Sequence, residues 1–209
     1  MTKHLPNALT ILRLVLSLAM FAALALMAQG LSGVTRLSPE TGAWLARFTF
    51  AAFVVAALTD FLDGWLARRW GVVSLTGAIL DPIADKILVC GAILGLMAVG
   101  TPGVMVSGGL ILFREFAVSA LREVLAPRGI KLPVTFLAKT KTALQLFSLG
   151  GLMVLTFWPA WRIDAPITAL IKALQSFEIL FALTAMITLW TGLEYALAAR
   201  KALRAEVAA

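Results

Sequence analysis

Residues 60–85 read DFLDGWLARRWGVVSLTGAILDPIAD and contain four of the 11 acidic residues of the chain. Asp60 and Asp63 are spaced i, i+3, while Asp81 and Asp85 are spaced i, i+4, so each pair lies on one face of a helix. The short basic turn between the pairs predicts two neighbouring helices whose carboxylates meet at one end. Four carboxylates gathered in this way would repel one another, so protons or cations must compensate their charge.

The rest of the chain is strongly apolar. Of its 209 residues, 61% are hydrophobic and 14% are charged, against about 45–50% and about 25% in ordinary globular domains. Since one membrane span takes about 20 apolar residues, the length accommodates six spans with short loops. We therefore expect an all-α integral membrane protein with a single domain, residues 1–209. The expected spans cover about 10–30, 43–69, 80–100, 104–125, 139–161 and 170–197.

Prolines and a basic residue refine these boundaries. Thr101-Pro102-Gly103 interrupts a stretch of 27 uncharged residues and predicts a turn between two antiparallel helices. Pro82 disfavours α geometry at Asp81, so either Asp81 caps the third helix or Pro82 kinks it. Arg13 borders the first apolar stretch, which favours a first span over a cleaved signal peptide.

The net charge of +7 is distributed unevenly between the loops. With both termini on one side, that side has eleven cations and the other has four, which places the termini in the cytoplasm. The eleven are Lys3, Arg68, Arg69, Arg122, Arg128, Lys131, Lys139, Lys141, Arg200, Lys201 and Arg204, and the four are Arg36, Arg47, Arg162 and Lys172. Loop cations of this kind indicate anionic lipid headgroups, and no nucleic acid is expected as a partner.

The acidic cluster favours divalent cations. Mg²⁺ takes oxygen ligands and often combines a few carboxylates with substrate phosphate oxygens, and two ions together can clamp a pyrophosphate. The alternative is that the aspartates cap helices and pair with Arg68, Arg69 and Lys86. Four aspartates at these spacings, with Gly64 and Gly77 among them, favour the metal site.

The same segment resembles the signature of the CDP-alcohol phosphotransferase family at all eight fixed positions, which are Asp60, Asp63, Gly64, Ala67, Arg68, Gly77, Asp81 and Asp85. The resemblance implies a six-helix membrane enzyme, generally a homodimer, that transfers a phosphatidyl or related group from a CDP-linked donor to an alcohol and releases CMP. It also implies two ions, Mg²⁺ or Mn²⁺, bound by the aspartates, with Asp85 as the general base. Gly64, Ala67, Arg68 and Gly77 would bind the CDP donor.

Three further segments, 5–13, 114–123 and 139–145, resemble the bacterial phosphatidylglycerophosphate synthases of this family, although Ala138 replaces their usual glycine. The resemblance implies CDP-diacylglycerol as donor, the primary hydroxyl of sn-glycerol-3-phosphate as acceptor, and a site that faces the cytoplasm in the bacterial inner membrane. Because this acceptor is a dianion, its site needs cations, and the candidates are Arg114, Arg122, Lys139 and Lys141. Asn7, Thr10 and Arg13 are candidates for support. The last 60 residues match in hydropathy only.

Several alternatives stay open from the sequence. One alternative to an acceptor site is that Arg114 pairs with Glu115, or Arg122 with Glu123, in self-contained ion pairs. In the same way, Lys139 and Lys141 would be loop charges without a role in binding. Arg13 either bridges to the cation cluster or extends to the headgroups.

The nearest alternative function is the same transfer to another acceptor, which would be serine, inositol phosphate or phosphatidylglycerol. A cation-conducting transporter would need its carboxylates near the middle of the bilayer, and a structural membrane protein would leave the four aspartates unexplained.

Overall fold

A computed structural model of the protein describes the backbone of residues 5–70, 75–130 and 136–207, and the side chains of residues 7–60, 62, 80–130 and 140–204. These residues form six α-helices and two short 3-10 turns, without a strand among them. The helices are α1 (Leu5–Leu31), α2 (Pro39–Trp70), α3 (Leu75–Ala98), α4 (Val104–Leu125), α5 (Phe136–Thr156) and α6 (Ile167–Val207). The expected all-α class is confirmed.

Four of the six helices are long and apolar enough to cross a membrane, judged on the described residues. The corresponding stretches are Asn7–Leu31, Pro39–Asp60, Val104–Arg128 and Ile167–Arg204, of which the third includes the 3-10 turn Ala126–Arg128 after α4. The described part of α3 has three charged residues near its start, Asp81, Asp85 and Lys86, and the side chains of α5 are described only from Thr140 onward. The protein is therefore a helical membrane protein, and the six-span topology stays a prediction.

The turn between α3 and α4 is where the sequence predicts it. Gly100 and Gly103 adopt φ values of 77° and 70°, a left-handed conformation that glycine tolerates because it has no Cβ. Thr101 lies between them and donates its amide to the carbonyl of Leu96 at 3.0 Å. The division of the long apolar stretch into two helices is confirmed.

Helix α3 settles the question raised by Pro82. The helix begins at Leu75 and continues through Pro82, so the alternative in which Asp81 caps the helix is wrong. Asp81 and Asp85 therefore lie one turn apart on one helical face, as their spacing predicts. The fifth helix also ends earlier than predicted, at Thr156, and Trp158–Trp161 forms a 3-10 turn after it.

Helix α1 packs against both α2 and α3, whereas α6 packs against α4 and α5. The main core joins these groups through fully buried side chains such as Met20, Leu24, Ile93 and Phe181. The approach of α1 to α3 is close at Gly95, where an added Cβ would lie 2.7 Å from Leu24 Cβ. The small residue at this position brings the two helices together.

We expect Gly95→Ala to lower the thermal midpoint of the purified protein by a few degrees, because overpacking a tight contact costs about 1–3 kcal/mol. Gly109→Ala is the matched control, since a Cβ at this α4 position meets nothing within 4 Å. Both substitutions bring the same gain in helix propensity, so their difference reports the contact. Equal midpoints for the two variants, measured in detergent, would contradict this close packing.

Candidate active site

One face of α1 binds the carboxylates of two other helices. Thr10 donates its hydroxyl to Asp81 Oδ1 at 2.6 Å. One turn further along, Arg13 Nη1 donates to Asp60 Oδ1 at 2.7 Å and also to Asp85 Oδ1. The side chains of α2 and α3 are thus held together by α1.

Burial differs sharply within this cluster. The side chain of Arg13 is 0% exposed, whereas those of Asp60 and Asp85 are 44% and 53% exposed. The guanidinium is therefore enclosed by the bundle, and the carboxylates that it binds stay open to their surroundings. Both alternatives considered for Arg13 are therefore wrong. It does not extend to the headgroups, and among the described residues the charged groups that it binds are the aspartates Asp60 and Asp85, not the cation cluster.

A second charged cluster lies between α4 and α5. Arg114 Nη1 donates to Glu115 Oε1 at 3.0 Å, and Lys141 Nζ donates to the same oxygen. Arg114 and Lys141 are both buried, which is unusual for charged residues unless they are paired. Two cations share one carboxylate, so the cluster has an excess positive charge.

Helix α6 fixes the direction of Arg114. Arg114 Nη2 donates to Thr191 Oγ1 at 3.1 Å, and the Thr191 hydroxyl donates to the carbonyl of Thr188 at 2.9 Å. Gln145 of α5 donates to the Thr188 hydroxyl at 3.1 Å. An added Cβ at Gly192 would lie 2.7 Å from Arg114 Cγ, so the glycine leaves room for the arginine.

These α6 residues are not among the site residues predicted from the sequence. Thr184, Thr188, Thr191 and Tyr195 are spaced i, i+4, i+7 and i+11, and this helical period within an apolar segment is the signal that was available. The guanidinium of Arg122 lies over the Tyr195 ring, 5.5 Å from its centroid, a contact that favours a cation. Thr191 and Tyr195 therefore contact the cationic cluster.

A cavity of about 380 Å³ joins the two clusters. Its charged lining consists of Asp81, Asp85 and Lys86 of α3, Arg114, Glu115 and Arg122 of α4, and Lys141 of α5. Its volume lies within the range of small-molecule sites, about 300–1,000 Å³. Negative and positive groups thus face one space, which can hold a molecule with a reactive hydroxyl and an anionic group.

The structure brings together most of the predicted residues that it describes. Asn7 lies in the first turn of α1, one turn before Thr10, and Asp60 binds Arg13 without lining the cavity. The remaining predicted positions lie outside the described side chains, so their roles stay predictions. They are Asp63, Gly64, Ala67, Arg68, Gly77 and Lys139.

The acidic cluster has the donor chemistry of a divalent-cation site. Asp60 and Asp85 direct one oxygen each at a single cationic nitrogen, and Mg²⁺ is commonly bound by one or two carboxylates together with phosphate oxygens and water. Among the described residues, no group of three or more acidic, histidine or cysteine ligands surrounds a common point. The residues present therefore fit a divalent cation that takes some ligands from the aspartates and the others from the phosphate oxygens of a substrate.

Comparison with known proteins gives the family. Proteins named CDP-diacylglycerol–glycerol-3-phosphate 3-phosphatidyltransferase are similar to this chain in several bacteria. The relative from Rickettsia bellii is 47% identical over 102 residues, which are 49% of this chain and 56% of the relative. That from Rickettsia felis is 39% identical over 73% of this chain and 76% of its own, and that from Salmonella choleraesuis is 35% identical over 76% and 81%.

The chain thus spans little more than half the length of the Rickettsia bellii relative. The sequence profile described as CDP-alcohol phosphatidyltransferase matches residues 3–193, which is most of the chain. The resemblance seen in residues 60–85 is confirmed, and the chain belongs to the CDP-alcohol phosphatidyltransferase family.

Proposed function

We propose that the protein transfers the phosphatidyl group of CDP-diacylglycerol to the primary hydroxyl of sn-glycerol-3-phosphate, giving phosphatidylglycerophosphate and CMP. The observation that carries this proposal is one cavity that is lined both by Asp81 and Asp85 of α3 and by Arg114, Arg122 and Lys141 of α4 and α5. The names of the bacterial relatives support the same reaction.

The cationic side of the cavity suits the phosphate of the acceptor. Glycerol-3-phosphate carries about two negative charges near neutral pH, and a neutral or zwitterionic alcohol would gain little from three cations. Glu115 neutralises part of the cluster in the absence of the acceptor. Arginine donors arranged in a fixed direction then bind phosphate oxygens with defined geometry. We include Lys139 in this group on the strength of the family resemblance.

Asp85 is the proposed general base. It removes the proton from the primary hydroxyl of the acceptor, whose oxygen then forms a bond to the phosphatidyl phosphorus. The bond between that phosphorus and the oxygen of CMP breaks, and CMP leaves with the electron pair. Asp85 lines the cavity and is half exposed, so it is accessible to a hydroxyl bound there, as a general base must be.

The donor side of the site is built on the signature segment. Members of this family generally depend on a divalent metal, and we propose that Asp60, Asp63, Asp81 and Asp85 hold two ions, Mg²⁺ or Mn²⁺. When bound, the ions would neutralise the pyrophosphate of the donor and the charge that develops on the leaving CMP. Gly64, Ala67, Arg68 and Gly77 are the proposed contacts of the donor, with its acyl chains in the surrounding lipid.

The membrane topology follows from the same proposal. Asp60 lies in the second half of α2, and Asp81 and Asp85 lie in the first half of α3. Arg114 lies at the middle of α4, Arg122 near its end, and Lys141 in the first half of α5. Successive antiparallel spans would bring these halves of the helices to one side, which is the cytoplasmic side by the distribution of loop cations. We therefore propose a single domain of six spans with cytoplasmic termini in the bacterial inner membrane, and a homodimer as in the family.

The direct test is a reconstituted assay that follows CMP release from CDP-diacylglycerol. With Mg²⁺ or Mn²⁺ present, we expect release with glycerol-3-phosphate and little with serine, inositol phosphate or phosphatidylglycerol, because only the first combines a small primary alcohol with the dianion that suits the cations. Chelation by EDTA is expected to stop the reaction. A preference for another acceptor would disprove the assignment of glycerol-3-phosphate.

We expect Asp85→Asn to lower kcat at least about 100-fold, the usual contribution of a general base. Asp164→Asn is the control, because this residue is exposed in the loop before α6. Each variant loses one carboxylate, so the two proteins have the same net charge and differ only in the position of the lost group. Full turnover by Asp85→Asn would eliminate this residue as the base.

Removing the Thr191 hydroxyl tests the support of Arg114 by α6. We expect Thr191→Val to raise the KM for glycerol-3-phosphate about tenfold, because a hydrogen bond to a charged group contributes about 1.5–3 kcal/mol, with little change in the KM for the donor. Thr184→Val is the matched control, since this buried threonine donates only to the carbonyl of Leu180 in its own helix. Similar kinetics for both variants would rule out this role of Thr191.

A further inference from the structure

Arg13 occupies an unusual position for a charged residue of a membrane helix. It lies in α1, its side chain is 0% exposed, and it contacts carboxylates of both α2 and α3. The single nitrogen Nη1 binds one oxygen of Asp60 and one of Asp85. Both oxygens bind this one nitrogen. The guanidinium therefore contacts the same carboxylates that a bound metal cation would need as ligands.

This contact supplies a permanent positive charge. Two carboxylates held near each other repel, and burial without compensation is costly. The guanidinium cannot lose its proton in a protein, so it compensates Asp60 and Asp85 whether or not a divalent cation is bound. One turn before Arg13, Thr10 donates its hydroxyl to Asp81 at 2.6 Å, so α1 binds a third carboxylate of the cluster.

We propose that Arg13 is a built-in cation that holds Asp60 and Asp85 together when no divalent cation is bound, and that it competes with the divalent cation for these carboxylates. The inference rests on the metal site of the proposed function. Arg13 is a positioning residue, since it acts through the carboxylates. In this arrangement the metal-free site stays assembled, and the metal is bound less tightly than four unpaired aspartates would bind it.

The experiment compares Arg13→Met with the unmodified protein in two measurements, the affinity for Mn²⁺ from the free-ion EPR signal and the thermal midpoint in EDTA. Loss of the neighbouring positive charge is expected to tighten Mn²⁺ binding at least about tenfold. The midpoint in EDTA is expected to fall by about 5 °C, since roughly 2–4 °C accompany each kcal/mol in a chain of this size. Saturating Mn²⁺ should recover most of that loss.

Two controls separate charge from packing. Arg47→Met makes the same substitution in the first half of α2, far along the helix from Asp60. Arg47 is exposed, and its Nε donates to the carbonyl of Ala160. This variant should leave Mn²⁺ affinity unchanged. Adding Asp85→Asn to Arg13→Met should raise the midpoint in EDTA above that of Arg13→Met alone, because one uncompensated carboxylate is removed. A residue that only fills space would show neither the rescue by Mn²⁺ nor this recovery.

Unchanged or weaker Mn²⁺ binding by Arg13→Met, or an equal loss of midpoint with and without Mn²⁺, would overturn the inference. If Arg13→Met folds only when Mn²⁺ is present, that dependence is itself the expected rescue, and failure to fold even with Mn²⁺ would count against the inference. CMP release by the unmodified protein is measured in parallel. Its absence would defeat the proposed function, whereas the affinities and midpoints still decide the role of Arg13.

Discussion

The arrangement of the site depends on the contact between the Arg13 guanidinium and the carboxylates of Asp60 and Asp85. Like charges from two helices cannot be brought together in a largely apolar bundle unless an opposite charge lies between them. Arg13 provides that charge from a third helix and is fully enclosed there. The packing of α1 against both α2 and α3 is therefore an electrostatic requirement as well as a hydrophobic one.

In the second cluster the charges are reversed, because a carboxylate lies between two cations. Arg114 and Lys141 are buried cations, and they share the carboxylate of Glu115. Thr191 adds a hydrogen bond that leaves the charge of Arg114 unchanged, and the aromatic ring of Tyr195 lies beneath Arg122. The cluster thus keeps a net positive charge towards the cavity, which is the property that an anionic acceptor needs.

The apolar frame explains how two clusters of opposite charge come to lie around one space. Small residues such as Gly95 and Gly192 let helices and long side chains approach closely, and buried side chains from several helices fill the core. Because packed helices have few alternative arrangements, the charged groups on them keep a fixed separation. The cavity of about 380 Å³ is the space left between them.

The sequence by itself determined the helical membrane class, the turn after α3, and the pairing of Asp81 with Asp85 on one face. These features depend on local properties: apolar run length, left-handed glycines and helical spacing. The acidic signature also sufficed to indicate the family. Tertiary structure alone decided that Arg13 binds the acidic cluster, that Glu115 joins Arg114 to Lys141, and that Thr191 of α6 binds Arg114. Apart from the adjacent pair Arg114 and Glu115, these contacts join residues that lie 26 to 77 positions apart. Only the packing of whole helices, which no local pattern specifies, brings such residues together.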